Sequence, residues 1–380
     1  MKVIQSVTGI NQEASGPSYS VPGLCKGLLA NGVCVEIHKI GQQRCNDFAF
    51  PVYGYPAHRW PIRTIWRSPE MLAGLRKACR DTEILHTNGL WTMPTVYPGW
   101  VKKNNGLKLV LSPRGSMAKW ALAHGRMRKW LFGLLLQNRV CRSADMWHAT
   151  SEKEYHEIRA AGYRQPVALV PIGMDLPDVT RSRVERVDRV EGNRKVVFFG
   201  RLHKVKGVDR LVRAWEQVVR DGWELVIAGP DCGMLEELKS IVAERKLPRV
   251  SFVGEINGHA KYAFLADADI YVLPSDTENF GITVAESLAS GTPVIASQGT
   301  PWEGLEREKC GRWVPIGVEP LAAALKELMA MSDAERAAMG ARGREWIRRD
   351  FAWEGIGAKM KAAYEWLLGQ GPKPDCVVLD

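Results

Sequence analysis

A chain of 380 residues with 46% hydrophobic and 25% charged side chains is long enough for two folded domains, and its composition excludes general disorder. The net charge of +10 is uneven: residues 1–180 hold 23 Lys/Arg against 12 Asp/Glu, an excess of 11, while 181–380 hold 29 against 30. A basic first half implies an acidic partner there, such as anionic lipid, a lipid phosphate or nucleic acid.

The first predicted strand runs from Lys2 to Thr8, and a polar loop carrying Gly16-Pro17 follows it. A helix over Val21–Ala30 ends at Asn31-Gly32, and Val33 to Ile40 alternates as a second strand. Residues 41–68 read as irregular, rich in Pro, Tyr, Trp and Arg. Helix Pro69–Cys79, strand Ile84–Thr87, helix Pro94–Lys103 and strand Leu107–Ser112 come next. Met117 to Arg142 is helical in pattern throughout, and helix Ser151–Ala161 lies between short strands Met146–Thr150 and Val167–Val170. Residues 173–194 are charged and lack periodicity, which marks a linker. The alternation restarts with strand Lys195–Phe199, helix Val208–Arg220, strand Glu224–Ala228 and helix Met234–Arg245. Strand Val250–Val253, helix His259–Ala266 and strand Ile270–Leu273 lead into a helix near Ile282 and a strand from Pro293 to Ala296. Leu321–Met329, Asp333–Arg349 and Phe351–Leu368 are helical, and 369–380 reads as a flexible tail. This β–α alternation predicts parallel sheets covered on both faces, in two successive domains with a cleft between them.

Eight scattered cysteines include no C-x-x-C pair, which argues for reduced thiols in a cytoplasmic protein. The N-terminus enters a strand without the apolar stretch of a signal peptide, and no run approaches the ~18 apolar residues that span a bilayer.

Chemistry concentrates at the carboxyl ends of strands in the second half, where open α/β sheets bind ligands. One strand runs into Gly200-Arg201-Leu202-His203-Lys204-Val205-Lys206-Gly207, and another into Leu273-Pro274-Ser275-Asp276-Thr277-Glu278-Asn279-Phe280-Gly281. Arg201 offers a rigid fork and Lys206 a mobile point charge for an anion, and the helix start near Ile282 adds free N–H groups. These suit a pyrophosphate. Glu286 is placed to accept from a ribose diol and Glu278 from sugar hydroxyls. Taken singly, Arg201 and Lys206 also fit ordinary surface charges.

Glu278 and Glu286 have E-x7-E spacing, within Pro-Ser-x-x-Glu-x-Phe-Gly and before Gly291-x-Pro293-Val294. With Phe199-Gly200-Arg201-Leu202, Lys206-Gly207, Ala228-Gly229-Pro230, Val253-Gly254, Pro171-x-Gly173-x-Asp175 and Phe351-Ala352-Trp353, they resemble the signature of retaining glycosyltransferases of family 4. The resemblance covers essentially the whole chain and is most specific over 195–300. It implies a GT-B fold, with two Rossmann-like domains facing across a cleft. These would be an acceptor-side domain at 1–172, the linker 173–194, a donor domain at 195–350, and a helix 351–368 crossing back to the first domain.

The resemblance further implies a nucleotide diphosphate sugar as co-substrate, no other cofactor and no metal. Arg201 and Lys206 would bind the diphosphate, Glu286 the ribose, and Glu278 the donor sugar together with the amides of Phe280 and Gly281. Amides of Ile282 and Thr283 would cradle phosphate, and Val253-Gly254 would meet the base. Gly16 and Gly173 would border the donor. Arg114 stands where many members carry a histidine, and would contact the donor sugar or an acceptor phosphate. His86 is an acceptor-side candidate or a buried structural histidine.

The expected reaction is metal-independent transfer, with retention, to a hydroxyl acceptor. The expected acceptor is a saccharide or a lipid-linked saccharide in cell-surface polysaccharide or lipopolysaccharide synthesis. A GT-B epimerase or phosphorylase is the alternative enzyme. A basic nucleic-acid-binding protein is the non-enzyme alternative, but it leaves Glu278 and Glu286 unexplained. Two basic, aromatic-rich stretches fit peripheral contact with the inner face of an anionic membrane. One is 119–142, and the other comprises Arg59, Trp60, Arg63, Trp66 and Arg67; the first also fits a core helix with a solvated basic face.

Overall fold

The computed structural model describes residues 1–10, 16–41, 48–58, 65–102, 107–123, 125–178 and 194–379. Two compact units emerge: Met1–Gly173 with Trp353–Asp380, and Met174–Ala352. Most of the 173–194 linker, along with Arg59, Trp60 and Arg63, lies outside the described residues.

The first unit contains β1 (Lys2–Val7), β2 (Cys34–Ile40), β3 (Val52–Tyr55), β4 (Ile84–Asn88), β5 (Lys108–Ser112), β6 (Met146–Ala149) and β7 (Val167–Leu169). The second supplies β8 (Arg194–Phe199), β9 (Trp223–Ala228), β10 (Val250–Gly254), β11 (Ile270–Leu273), β12 (Val294–Ser297) and β13 (Gly311–Val314). The chain returns to the first with β14 (Val377–Val378). The sheet orders are β14-β7-β6-β5-β4-β1-β2-β3 and β10-β9-β8-β11-β12-β13. Every pairing between these strands is parallel except β14 on β7, as expected where helices connect successive strands. Counted within its own unit, the second sheet runs 3-2-1-4-5-6, the doubly wound order whose switch point falls between its first and fourth strands, β8 and β11.

Four expectations change. The stretch read as irregular contains β3, which pairs along β2 from Ile37↔Val52 to Ile40↔Tyr55. Gly311–Val314, not assigned from the sequence, forms the edge strand β13. The supposed flexible tail carries β14, held by Val377↔Ala168 and Val378↔Val167. The single helix over 117–142 is instead Lys119–Ala123, Arg126–Phe132, a π-helical turn Gly133–Gln137 and Asn138–Ser143. Gly125 breaks it, because its left-handed φ of 64° cannot continue an α-helix.

The first helix, Gly16–Ala30, packs on the last, Trp353–Leu367, with no room for side chains between their backbones. A Cβ on Gly27 would lie 2.2 Å from the Trp353 carbonyl oxygen, and one on Gly357 would lie 2.1 Å from that of Gly27. Each unit has its own aromatic core, with Trp147, Tyr97 and Tyr364 buried in the first and Trp215, Trp223 and Trp302 in the second. No described helix is long and apolar enough to cross a membrane.

Candidate active site

The loops leaving β8 and β11 meet at the switch point of the second sheet. Gly207 closes the first loop at φ 64°, so close to the second that a Cβ there would lie 2.4 Å from the Pro274 carbonyl oxygen. The Asp276 amide donates to the Val205 carbonyl at 2.8 Å, stapling the loops together. Arg210 reinforces the joint through the Pro274 carbonyl at 2.8 Å and Asp276 Oδ1 at 2.7 Å. The Glu278 amide donates to the Gly299 carbonyl at 2.9 Å, and Ser297 Oγ donates to the Ser275 carbonyl.

This framework aims Lys206 and Glu278 at each other. Lys206 Nζ lies 2.6 Å from Glu278 Oε1, and Ser275 Oγ donates to the same oxygen at 2.7 Å. Both charged side chains are only 13% exposed, so solvent screens the pair weakly. Two residues beyond Glu278, Phe280 is buried against Trp302, whose Nε1 donates to the Phe280 carbonyl at 2.5 Å. Gly281 then adopts φ 81°, which is costly for a side chain with a Cβ, and helix Ile282–Ala289 begins with no side-chain cap. Its first amides therefore lack intrahelical partners and give that end a partial positive charge.

The same helix carries Thr283 and Glu286. The Thr283 hydroxyl bonds to Tyr271 OH at 2.6 Å, and Tyr271 OH also reaches the Phe199 carbonyl at the end of β8, at 3.1 Å. Burial raises the Tyr271 pKa well above its ordinary value, so the phenol stays protonated. Glu286 is buried and accepts from Lys261 Nζ at 2.6 Å. Arg201, at the end of β8, is exposed; its carbonyl accepts from the His203 amide at 2.9 Å, and its guanidinium meets no hydrogen-bond or ion-pair partner among the described residues. Val253 is the bulged residue of edge strand β10, where the pairing jumps from Phe252↔Ile227 to Gly254↔Ala228, and its side chain is exposed. The Gly254 carbonyl accepts from the Gly229 amide at 2.7 Å.

Seven of the sequence-predicted residues thus lie on two stapled loops and one helix: Lys206, Glu278, Phe280, Gly281, Ile282, Thr283 and Glu286. Arg201, Val253 and Gly254 lie at carboxyl ends of strands in the same sheet. Lys261 was missed, because one lysine in a helix carries no sequence signal for the carboxylate it meets.

The other four belong to the first unit. Gly16 opens the first helix, and the loop residues 11–15 before it lie outside the described residues. Gly173 is buried with its Cα against the Trp353 indole, where a Cβ would come within 2.3 Å of the ring. His86 is fully buried. Its Nδ1 lies 2.6 Å from Tyr364 OH and 3.3 Å from Gln5 Nε2, and its Nε2 lies 2.6 Å from Ser112 Oγ. Ser112 Oγ continues to His148 Nδ1 at 2.7 Å, and His148 Nε2 to the Val170 carbonyl at 2.8 Å.

That carbonyl can only accept, so the proton positions follow. His148 carries its proton on Nε2 and accepts from Ser112, which accepts from His86 Nε2–H, and His86 Nδ1 accepts from Tyr364. Burial lowers the pKa of both imidazoles, that of His148 to about 3, and the Arg114 charge adds to each effect. His86 is therefore an interior residue, bonded to Tyr364, Gln5 and Ser112. Arg114, half-buried after β5 with φ 53°, directs Nε and one terminal nitrogen to Asn88 Oδ1 at 3.2 and 3.0 Å. Desolvation lowers its pKa, and nearby Glu154 opposes that effect.

Two parallel-sheet α/β domains, with an anion-suited loop pair at a switch point, define the GT-B class of transferases. Residues 181–346 match the family described as Glycosyl transferases group 1, and residues 15–173 match the Glycosyl transferase 4-like domain. The chain belongs to these group 1, family 4 glycosyltransferases and is a transferase enzyme. It is 32% identical over 278 residues to a GDP-mannose-dependent alpha-(1-6)-phosphatidylinositol monomannoside mannosyltransferase of Mycobacterium tuberculosis, covering 66% of this chain and 71% of that one. A GDP-mannose-dependent mannosyltransferase of Corynebacterium glutamicum, acting on a monoacylated form of that lipid, is 26% identical over 80% of this chain and 83% of its own length. Among solved structures, sucrose-phosphate synthase of Thermosynechococcus elongatus aligns with a TM-score of 0.73 at 23% identity, covering 97% of this chain and all of that one. HepE of Anabaena, in complex with UDP and glucose, aligns at 0.76 and 16%, covering 96% and 100%.

Proposed function

We propose that the enzyme transfers a sugar from a nucleotide diphosphate sugar to a hydroxyl of a lipid-linked saccharide, with retention and without a metal. The observation that carries this reading is the Lys206–Glu278 pair beside the uncapped start of helix Ile282–Ala289. In the reaction the bond from the anomeric carbon to the diphosphate breaks, and negative charge grows on the departing oxygen. Lys206, Arg201 and the amides of Ile282 and Thr283 are the groups suited to meet it. Fixed donors of this kind act most strongly where charge develops, worth roughly 3 kcal/mol each in a dry site.

Lys206 enters the reaction already oriented, because Glu278 holds it. On donor arrival the ammonium turns to the diphosphate, and Glu278 is released to accept from sugar hydroxyls. The acceptor oxygen bonds to the anomeric carbon on the face the diphosphate leaves, and its proton passes to the departing diphosphate oxygen. Atoms and charge balance without a side-chain nucleophile. Glu286, fixed by Lys261, is suited to the ribose, and the bulge at Val253 to the base.

The mannosyltransferase relatives have GDP-mannose and phosphatidylinositol mannosides in their names, which supports a nucleotide-sugar donor and a lipid-linked acceptor. GDP and UDP are the first nucleotides to titrate. Stabilisation of the protein by either, with none by the nucleoside alone, is the expected result. No stabilisation by any nucleoside diphosphate would refute the reading.

A further inference from the structure

The helical stretch from Arg126 to Ser143 has two apolar sides. Phe132, Gly133, Leu136, Gln137, Val140 and Cys141 face the first unit's core. The π turn is locked there: Gln137 Oε1 accepts from the Trp91 amide at 3.2 Å and from Thr95 Oγ1 at 3.3 Å. The opposite side carries Met127, Trp130, Leu131, Leu134 and Leu135, spaced i, i+3, i+4, i+7 and i+8, so they form one stripe. All five are exposed, Met127 to 82%, Leu135 to 65% and Trp130 to 66%. Single exposed apolar side chains are ordinary, but a contiguous stripe of five marks an interaction surface.

Charge identifies the occupant. Arg126, Arg128, Arg139 and Arg142 are exposed along the same stretch. No Asp or Glu occurs anywhere between Glu83 and Asp145. A second copy packed about a two-fold axis would set these arginines against one another with no acid between them. An acidic bilayer offers both complements at once, anionic headgroups for the guanidinium groups and acyl chains for the stripe.

We infer that Met127, Trp130, Leu131, Leu134 and Leu135 insert into the headgroup–acyl boundary of an acidic lipid bilayer, with Arg126, Arg128, Arg139 and Arg142 on its phosphates. This goes beyond the transfer reaction and rests on the first unit alone.

The test is flotation of the full chain with vesicles of phosphatidylcholine, and of phosphatidylcholine with phosphatidylglycerol. Wild type is expected to float with the acidic vesicles and at least tenfold less with the neutral ones. Trp130→Glu/Leu134→Glu should lose at least tenfold on acidic vesicles. Arg126→Glu/Arg128→Glu should lower binding there to the neutral-vesicle level. All these positions are exposed, so melting temperatures and stabilisation by GDP or UDP should match wild type. Failure to float with acidic vesicles would overturn the inference, as would a Trp130→Glu/Leu134→Glu variant that floats like wild type. So would a wild-type dimer, broken by that variant, that binds neither vesicle. Nucleotide stabilisation in the same samples separates this failure from failure of the transferase reading.

Discussion

Replacing Glu278 by Ala removes the carboxylate that Lys206 Nζ meets among the described residues. It also strips Ser275 Oγ of its acceptor. The ammonium would remain at 13% exposure without that counter-charge. Breaking a buried pair from one side costs about 3–5 kcal/mol, and residual solvent access argues for the lower end, about 3 kcal/mol. For a unit of this size that corresponds to a melting temperature lower by ~6–12 °C. A nucleoside diphosphate supplies the missing anion, so its stabilising effect should be larger in Glu278→Ala than in wild type. Turnover should fall, because the group suited to the sugar is gone. Differential scanning fluorimetry with and without GDP or UDP, beside a transfer assay, reads all three. Glu278→Gln is the control, since it keeps a hydrogen-bond acceptor for Ser275 and removes only the charge. A Glu278→Ala enzyme as stable as wild type, whose melting point a nucleoside diphosphate raises no further, would refute the argument.

Acid should loosen the first unit through its two buried histidines. Both imidazoles have folded pKa values below the ordinary 6.5, that of His148 at about 3. Their neutral forms support folding above pH 6.5, and this support is lost as pH falls toward the folded values. For His148 the fall from pH 6.5 to 5 should cost about 2 kcal/mol, with His86 acting in the same direction; urea titrations would show it, and a flat profile would contradict the proton assignment. Gly27→Ala should destabilise by at least ~1–3 kcal/mol, since its Cβ would press on the Trp353 carbonyl; unchanged urea unfolding would disprove that packing. Arg114→Ala should leave nucleoside diphosphate affinity intact and lower turnover. Weakened nucleotide binding would instead assign Arg114 to the donor.

Much of the second sheet was legible because parallel strands buried on both faces leave short apolar runs bounded by Gly and Pro, as at Ile270–Leu273 and Val294–Ser297. Three of the four edge strands, β3, β13 and β14, escaped detection. Gly311–Val314 is half-covered and reads Gly-Arg-Trp-Val, without alternation, and Val377–Val378 is two residues whose pairing exists only through β7. Residue types at the site were legible, but their partners were not. Lys206 and Glu278 were read as serving separate parts of a ligand, while the structure pairs them with each other. Glu286 found Lys261 across 25 positions of sequence, a relation set by packing. His86 stood at the end of a strand in the sequence, where function and structure look alike, and only its bonds to Tyr364 and Ser112 give it an interior place.

The most direct measurement is calorimetric titration of GDP and UDP into wild type and Lys206→Ala. One charge-assisted contact to a diphosphate is worth about 1.5–3 kcal/mol, so affinity should fall roughly ten- to hundredfold for the nucleotide that binds, with the nucleoside alone unaffected. Equal affinity in the two proteins would mean that the diphosphate does not lie at the β8–β11 switch point.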